Sequence, residues 1–141
     1  MEDTRVISKP KTKSISKLKK ECWDACSIYI RTRDKVCIFH MLLSNNKIHY
    51  PCRCVGVLQA CHKISRSKSA IKFDERNLFA GCSGSNVWAN FNQLEWDRLW
   101  RKLWPEDEAY LERTKGARVK RTRGDYMLMT IDFQQRLERL T

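Results

Sequence analysis

Val57-Leu58-Gln59-Ala60 is a short run of strand character leading into Cys61-His62, and the residues after it decide the fold. A polar, basic loop runs from Lys63 to Lys72, and Phe73-Asp74-Glu75-Arg76-Asn77-Leu78-Phe79-Ala80 returns as a second strand. Gly81-Cys82-Ser83-Gly84 then turns the chain into a helical region with Asn86 in its first turn. Strand, His, loop, strand carrying an Asn, turn, and helix opening on another Asn make a ββα unit over about residues 58–104.

Working outward, Leu18, Cys22, Ala25, Cys26 and Tyr29 recur at helical spacing, which predicts an amphipathic helix over about 16–33. Val36-Cys37-Ile38-Phe39 and Ile48-His49-Tyr50 read as short strands on either side of the turn Ser44-Asn45-Asn46-Lys47, and residues 51–56 as a tight knuckle. Downstream, Trp96, Trp100 and Trp104 share a helix face with Leu99 and Leu103 and are expected to pack against the first helix. Pro105-Glu106-Asp107-Glu108 starts a helix that stops at Gly116. Asp125 is expected to cap a last helix with the stripe Tyr126, Met129, Phe133, Leu137 and Leu140. The fold class is α+β: a flexible basic arm over residues 1–14, then a single domain over 15–141 whose C-terminal helices occupy 105–140.

A chain of 141 residues is one domain's worth. Its 28 Lys and Arg against 16 Asp and Glu leave a formal charge of +12, which points to polyanionic partners. No apolar run approaches the roughly 18 residues of a membrane span. The N-terminus lacks an apolar signal core, so a cytoplasmic protein without a membrane partner is expected. Seven cysteines, an odd number without an export signal, argue against a disulfide framework. Cys22 and Cys26 read as small buried residues, whereas Cys37, Cys52, Cys54 and Cys82 flank turns, as thiolate ligands of a structural Zn²⁺ would.

Hydrolysis of a phosphodiester needs an activated water, a cation to neutralise charge on the phosphate, and a frame that holds both. An imidazole with an ordinary pKa of roughly 6.5 can take the proton of water, which makes His62 the candidate base. Asn77 on the facing strand can fix the loop and the imidazole by hydrogen bonds. Asn86, with Asn90 one turn on, can offer an amide oxygen to Mg²⁺ or Mn²⁺. Lys63, Arg66, Lys68, Lys72 and Arg76 are the candidate phosphate contacts. Singly these are weak signals, because a lone His is more often structural and an Asn at a helix start is more often a cap.

In combination they carry a resemblance. Ala60-Cys61-His62-Lys63-Ile64-Ser65-Arg66, Ile71-Lys72-Phe73-Asp74-Glu75-Arg76-Asn77-Leu78, Gly81-Cys82-Ser83-Gly84-Ser85-Asn86 and Asn92-Gln93-Leu94-Glu95-Trp96 together resemble the phage NinG/Rap recombination nucleases. These belong to the HNH, or ββα-metal, endonuclease superfamily. Arg31-Thr32-Arg33-Asp34 is similar to the end of a helix in the same family. The resemblance implies a treble-clef-like ββα nuclease core with flanking helices, three of them beyond the core. It also implies His62 as general base, Asn77 and Asn86 as the second and third HNH residues, and a divalent cation. The implied substrate is DNA, as branched recombination intermediates in the host cytoplasm, with a homodimer as a further candidate partner.

Two positions depart from the family pattern. Cys61 stands where the family tends to have Gly and many HNH enzymes have a metal-binding Asp, so either Cys61 packs in the core, or the ion is softer, or its ligands come from Asn86, Asn90, substrate phosphate and water. Asp74 is the alternative carboxylate. Ser85 stands where a final zinc-ligating Cys is expected, which leaves Cys37 to complete a set with Cys52, Cys54 and Cys82. Two other readings fit the same residues: a catalytically inactive HNH-fold DNA-binding module, and a zinc-ribbon module for a protein partner.

Overall fold

Helix α1 (Ile15–Asp34) starts where the Ser14 hydroxyl accepts the Lys17 amide, and it ends at Lys35, a non-glycine residue at φ 67°. The computed structural model describes residues 11–141, so most of the expected arm, residues 1–10, lies outside the described residues. Lys13, just ahead of α1, pairs with Glu21 at 3.0 Å. The buried stripe of α1 is Leu18, Cys22, Ala25, Cys26, Tyr29 and Ile30, as its spacing predicts.

Strands β1 (Leu58–His62) and β2 (Leu78–Cys82) form a two-stranded antiparallel sheet, and α3 (Ser83–Phe91) follows β2 directly. The register sets Leu58 opposite Cys82, Ala60 opposite Ala80 and His62 opposite Leu78. Gly56, at φ 82°, brings the knuckle so close to the start of α3 that a Cβ there would meet the Ser83 Oγ at 1.8 Å. The chain therefore mixes α-helix with a small sheet. Among the described residues, the helices beyond residues 58–104 number four, not three: α1, α2 (Ile38–Ser44), α5 (Pro105–Thr114) and α6 (Arg123–Leu140), while α4 (Gln93–Leu103) lies within that stretch.

Two cores lie on the two sides of the sheet. On one side α1 and α6 enclose Cys22, Cys26, Ile30, Phe73, Leu78, Tyr126 and Phe133. On the other, Phe39 of α2, Phe79 of β2 and Trp96 and Trp100 of α4 pack edge and face beside the cysteines. The tryptophan helix thus packs on Phe39 and Phe79 rather than on α1.

Other expectations are corrected. Val36–Phe39 and Ile48–Tyr50 are not strands: residues 38–44 coil into α2, burying Phe39 and Leu42 three residues apart, so packing overrides strand propensity. The second strand begins at Leu78, not Phe73. The Asp74 carboxylate accepts the Arg76 amide at 3.0 Å, which draws Glu75–Asn77 into a 3-10 turn. The helical region after β2 breaks at Asn92, whose side-chain amide donates back to the Trp88 carbonyl at 2.9 Å. The cap of α6 is Thr122, with Asp125 as its reciprocal partner three residues on. Helix α5 ends at Thr114, before Gly116.

The end of α1 is pinned to the sheet, and this positions the site. Arg33 donates to the carbonyls of Glu75 and Leu78 at 3.0 and 2.7 Å, while Asp34 accepts the Ala80 amide at 2.8 Å. The Arg33–Asp34 ion pair, 2.7 Å long, keeps both side chains in place.

Candidate active site

His62 ends β1, and its ring lies flat on Trp23 of α1, with centroids 4.9 Å apart and planes 13° from parallel. The His62 Nε2 is 2.9 Å from the Lys72 carbonyl oxygen. A carbonyl only accepts, so Nε2 carries the proton and Nδ1 of the neutral ring is left with a free lone pair. Burial pulls the His62 pKa below its ordinary value, and the positive charges of Lys72 and Arg66 pull the same way. The Lys72 carbonyl bond opposes them.

Asn77 is fully buried and ties the loop that follows His62. Its Oδ1 accepts the Ile64 amide at 2.8 Å, and its Nδ2 donates to the carbonyls of Ile64 and Ile71 at 3.0 and 3.2 Å. Its own carbonyl accepts the Lys63 amide at 2.9 Å. These side-chain hydrogen bonds all go to backbone, so Asn77 frames the loop as expected but does not bond the imidazole, which is held by Trp23 and the Lys72 carbonyl instead.

His62, Asn86, Asn90 and Gln93 line one open groove of about 1000 Å³. Lys19, Lys20, Arg31, Arg66 and Lys72 line the same groove, Lys20 bound to Asp24 at 2.8 Å and the Arg31 Nε to the Ser27 carbonyl at 3.3 Å, and no Asp or Glu lines it among the described residues. Crowding and burial push the Lys72 pKa down to about 8, with Lys19 and Arg66 adding to the effect.

Several candidate residues do not present their functional atoms to the groove, although Cys61 and Lys63 belong to its wall. Cys61 is 2 % exposed, and its Sγ is turned into the aromatic core, 3.7 and 3.8 Å from the carbonyls of Gln59 and Gly81. Burial pushes its thiol up to about 12, and the sulfur packs in the core instead of facing the groove. Asp74 is occupied by the Arg76 amide and by the Tyr110 hydroxyl at 2.7 Å, away from the groove. Arg76 lies over the Tyr110 ring at 4.2 Å, on that same far side. Lys63 is buried with its Nζ 4.0 Å from the Trp100 ring centre, so it packs rather than reaching phosphate. Lys68 is exposed on the loop but does not line the groove.

Trp23, Lys19, Lys20 and Arg31 were not among the candidates. Their signal is a second stripe on α1, offset from the buried one, in which Lys19, Trp23, Ser27 and Arg31 recur every four residues.

A second centre lies behind β2. Cys37, Cys52 and Cys54 bring their sulfurs within 4.8 Å of one another and can hold a metal ion. The Cys52 Sγ is 3.9 Å from each of the sulfurs of Cys37, Cys54 and Cys82. The Cys82 amide donates to the Cys37 Sγ at 3.4 Å, and the Ser85 amide to the Cys82 Sγ at 3.4 Å. Ser85, fully buried, sets its hydroxyl 3.0 Å from the sulfurs of both Cys52 and Cys82. Burial raises the Cys82 thiol, but the Ser85 hydrogen bonds outweigh it and hold the group below its ordinary value.

Compared with protein-family models, with curated proteins and with solved structures, the chain matches none. No helix among the described residues is long and apolar enough to cross a membrane.

Proposed function

We propose that this chain is a metal-dependent DNA endonuclease of the HNH type, with β1, β2 and α3 as a treble-clef-like nuclease core. The observation that carries the reading is His62, oriented by Trp23 and the Lys72 carbonyl so that Nδ1 is the basic nitrogen, in a groove lined by cations. His62 Nδ1 takes a proton from water as the water oxygen forms its bond to phosphorus and the leaving oxygen departs. Arg66 and Lys72 hold the phosphate in register for that attack.

Among the neutral oxygen donors on the groove wall, the carboxamides of Asn86 and Asn90 are hard ligands one helical turn apart. They fit a hydrated Mg²⁺ or Mn²⁺ that takes its anionic ligands from the substrate. Such an ion would draw charge from the phosphate and the departing oxygen. Branched recombination intermediates are the substrate class proposed.

We also infer a structural Zn²⁺ held by Cys37, Cys52, Cys54 and Cys82. Tetrahedral zinc with sulfur at about 2.3 Å spaces the ligands about 3.8 Å apart, close to the spacings around Cys52; the sulfurs of Cys37, Cys52 and Cys54 gather within 4.8 Å of one another, and Cys82 joins them through Cys52. Ser85 then supports the sulfurs instead of ligating.

A non-catalytic DNA-binding module is the second reading, favoured by the lack of a carboxylate on the groove among the described residues. Incubating the protein with branched and linear DNA and Mg²⁺ or Mn²⁺ separates the two. Metal-dependent nicking supports the nuclease, binding without nicking supports the module, and neither binding nor nicking contradicts both.

A further inference from the structure

Phe91 is 85 % exposed at the last position of α3, and Leu94 is 67 % exposed just beyond it. The other large aromatics near the sheet, Phe39, Phe79, Trp96 and Trp100, are enclosed in the core. An aromatic left this bare on an ordered helix end calls for a ligand with an apolar face.

Its place in the fold says which. Asn86, Asn90 and Gln93 line the groove that holds His62. Val87, Phe91 and Leu94 each follow one of these by a single residue, about 100° round a helix. An exposed apolar stripe on α3, Val87 and Phe91, therefore runs beside the polar wall of the groove, with Leu94 exposed on α4 just past the Asn92 break. Val55, itself exposed, reaches the same helix at Gly84 and extends the stripe toward the knuckle. The groove it borders carries Lys19, Lys20, Arg31, Arg66 and Lys72, a complement for phosphates of any sequence.

We propose that Phe91, with Leu94 beside it, is a wedge that stacks on an unpaired nucleobase while the basic groove holds the flanking phosphates. The proposal rests on the groove being the DNA site and adds what kind of DNA it selects. In a closed duplex the base faces are already stacked on one another, so the wedge gains nothing. At a branch, gap or bubble an unpaired base offers a free π face, and aromatic stacking on such faces is tolerant of sequence.

The test is binding without added divalent cation, followed by fluorescence anisotropy, on a labelled duplex with a central run of unpaired bases and on a fully paired duplex of equal length. The protein is expected to bind the bubble about tenfold more tightly than the duplex. Phe91→Ala removes that preference while leaving duplex affinity within about twofold, and Phe91→Trp restores it. The exposed position keeps the variants folded, and unchanged melting temperatures check this. Equal affinity of the unaltered protein for both DNAs overturns the proposal, as does an equal loss on both in Phe91→Ala. A change of oligomeric state in Phe91→Ala without a change in bubble preference also overturns it, assigning the stripe to self-association. Failure here is distinct from failure of the nuclease reading. A protein that prefers bubbles but never cuts keeps the wedge, and one that cuts both DNAs equally keeps the nuclease and loses the wedge.

Discussion

The His62 ring is stacked on Trp23, 4.9 Å between centroids and 13° from parallel, while its Nε2 donates to the Lys72 carbonyl. Two contacts from elements 39 and 10 residues away thus fix the plane, the tautomer and the burial of one imidazole. Trp23→Ala removes the stack and part of the apolar shell. It is expected to let the His62 pKa rise toward its ordinary value and to slow cleavage by roughly 10²-fold through misplacement of the base. Imidazole NMR against pH, with cleavage rates, checks this; an unchanged pKa and rate would show that the stack is incidental.

The pH profile has a defined sign on each side. The proposed base, His62, works as the neutral imidazole, and burial lowers its pKa, so half-maximal kcat/KM on the acid side is expected below about pH 6.5. On the alkaline side Lys72, pushed down to about 8, sheds the charge that meets phosphate. Cleavage and DNA affinity therefore decline above about pH 8, and kcat/KM follows a bell. Lys72→Arg, which stays charged, is expected to lift the alkaline limb and leave the acid limb in place.

Cys61 precedes the base, yet its sulfur faces Phe39 and the core. Cys61→Ala is expected to cost on the order of 1 kcal/mol of stability and to leave the dependence of cleavage on Mg²⁺ or Mn²⁺ concentration unchanged. Denaturant melts and a metal titration of the rate are the measurements. A large shift in the metal requirement would return Cys61 to the metal.

The thiol cluster is expected to hold one zinc per chain. Cys52→Ser, at the sulfur common to the three 3.9 Å approaches, abolishes it and lowers the melting temperature, whereas Ser85→Ala keeps the zinc and weakens its retention against a chelator. Elemental analysis of purified protein, repeated after chelation, reads this directly. Protein that carries no metal and melts unchanged with chelator would remove the site.

Local order along the chain was legible in sequence: α1, the turn after β2, and the helix start at Pro105 follow from spacing and capping. The ββα unit was legible for the same reason, since His62, Asn77 and Asn86 are signalled by their order. The parts that were not legible depend on distant partners. Phe39 sits in a run of strand-favouring residues, but burial against Phe79 and Trp96 makes it helical. Lys63 reads as one more basic loop residue, and only Trp100, 37 positions on, takes its charge out of the groove. Asp74 and Arg76 are claimed by Tyr110 in the same way. Trp23 became a site residue because Arg33 and Asp34 pin α1 to β2, a relation between segments more than 40 residues apart.

The role of His62 as the base is tested head-on by the cleavage rate of His62→Ala on branched DNA with Mg²⁺ or Mn²⁺, measured beside the unaltered protein. The unaltered protein is expected to nick the DNA, and the variant to lose roughly 10²–10⁴-fold in rate with its melting temperature and DNA affinity retained. Full activity in His62→Ala, or no cutting by the unaltered protein with either ion, would contradict the nuclease reading.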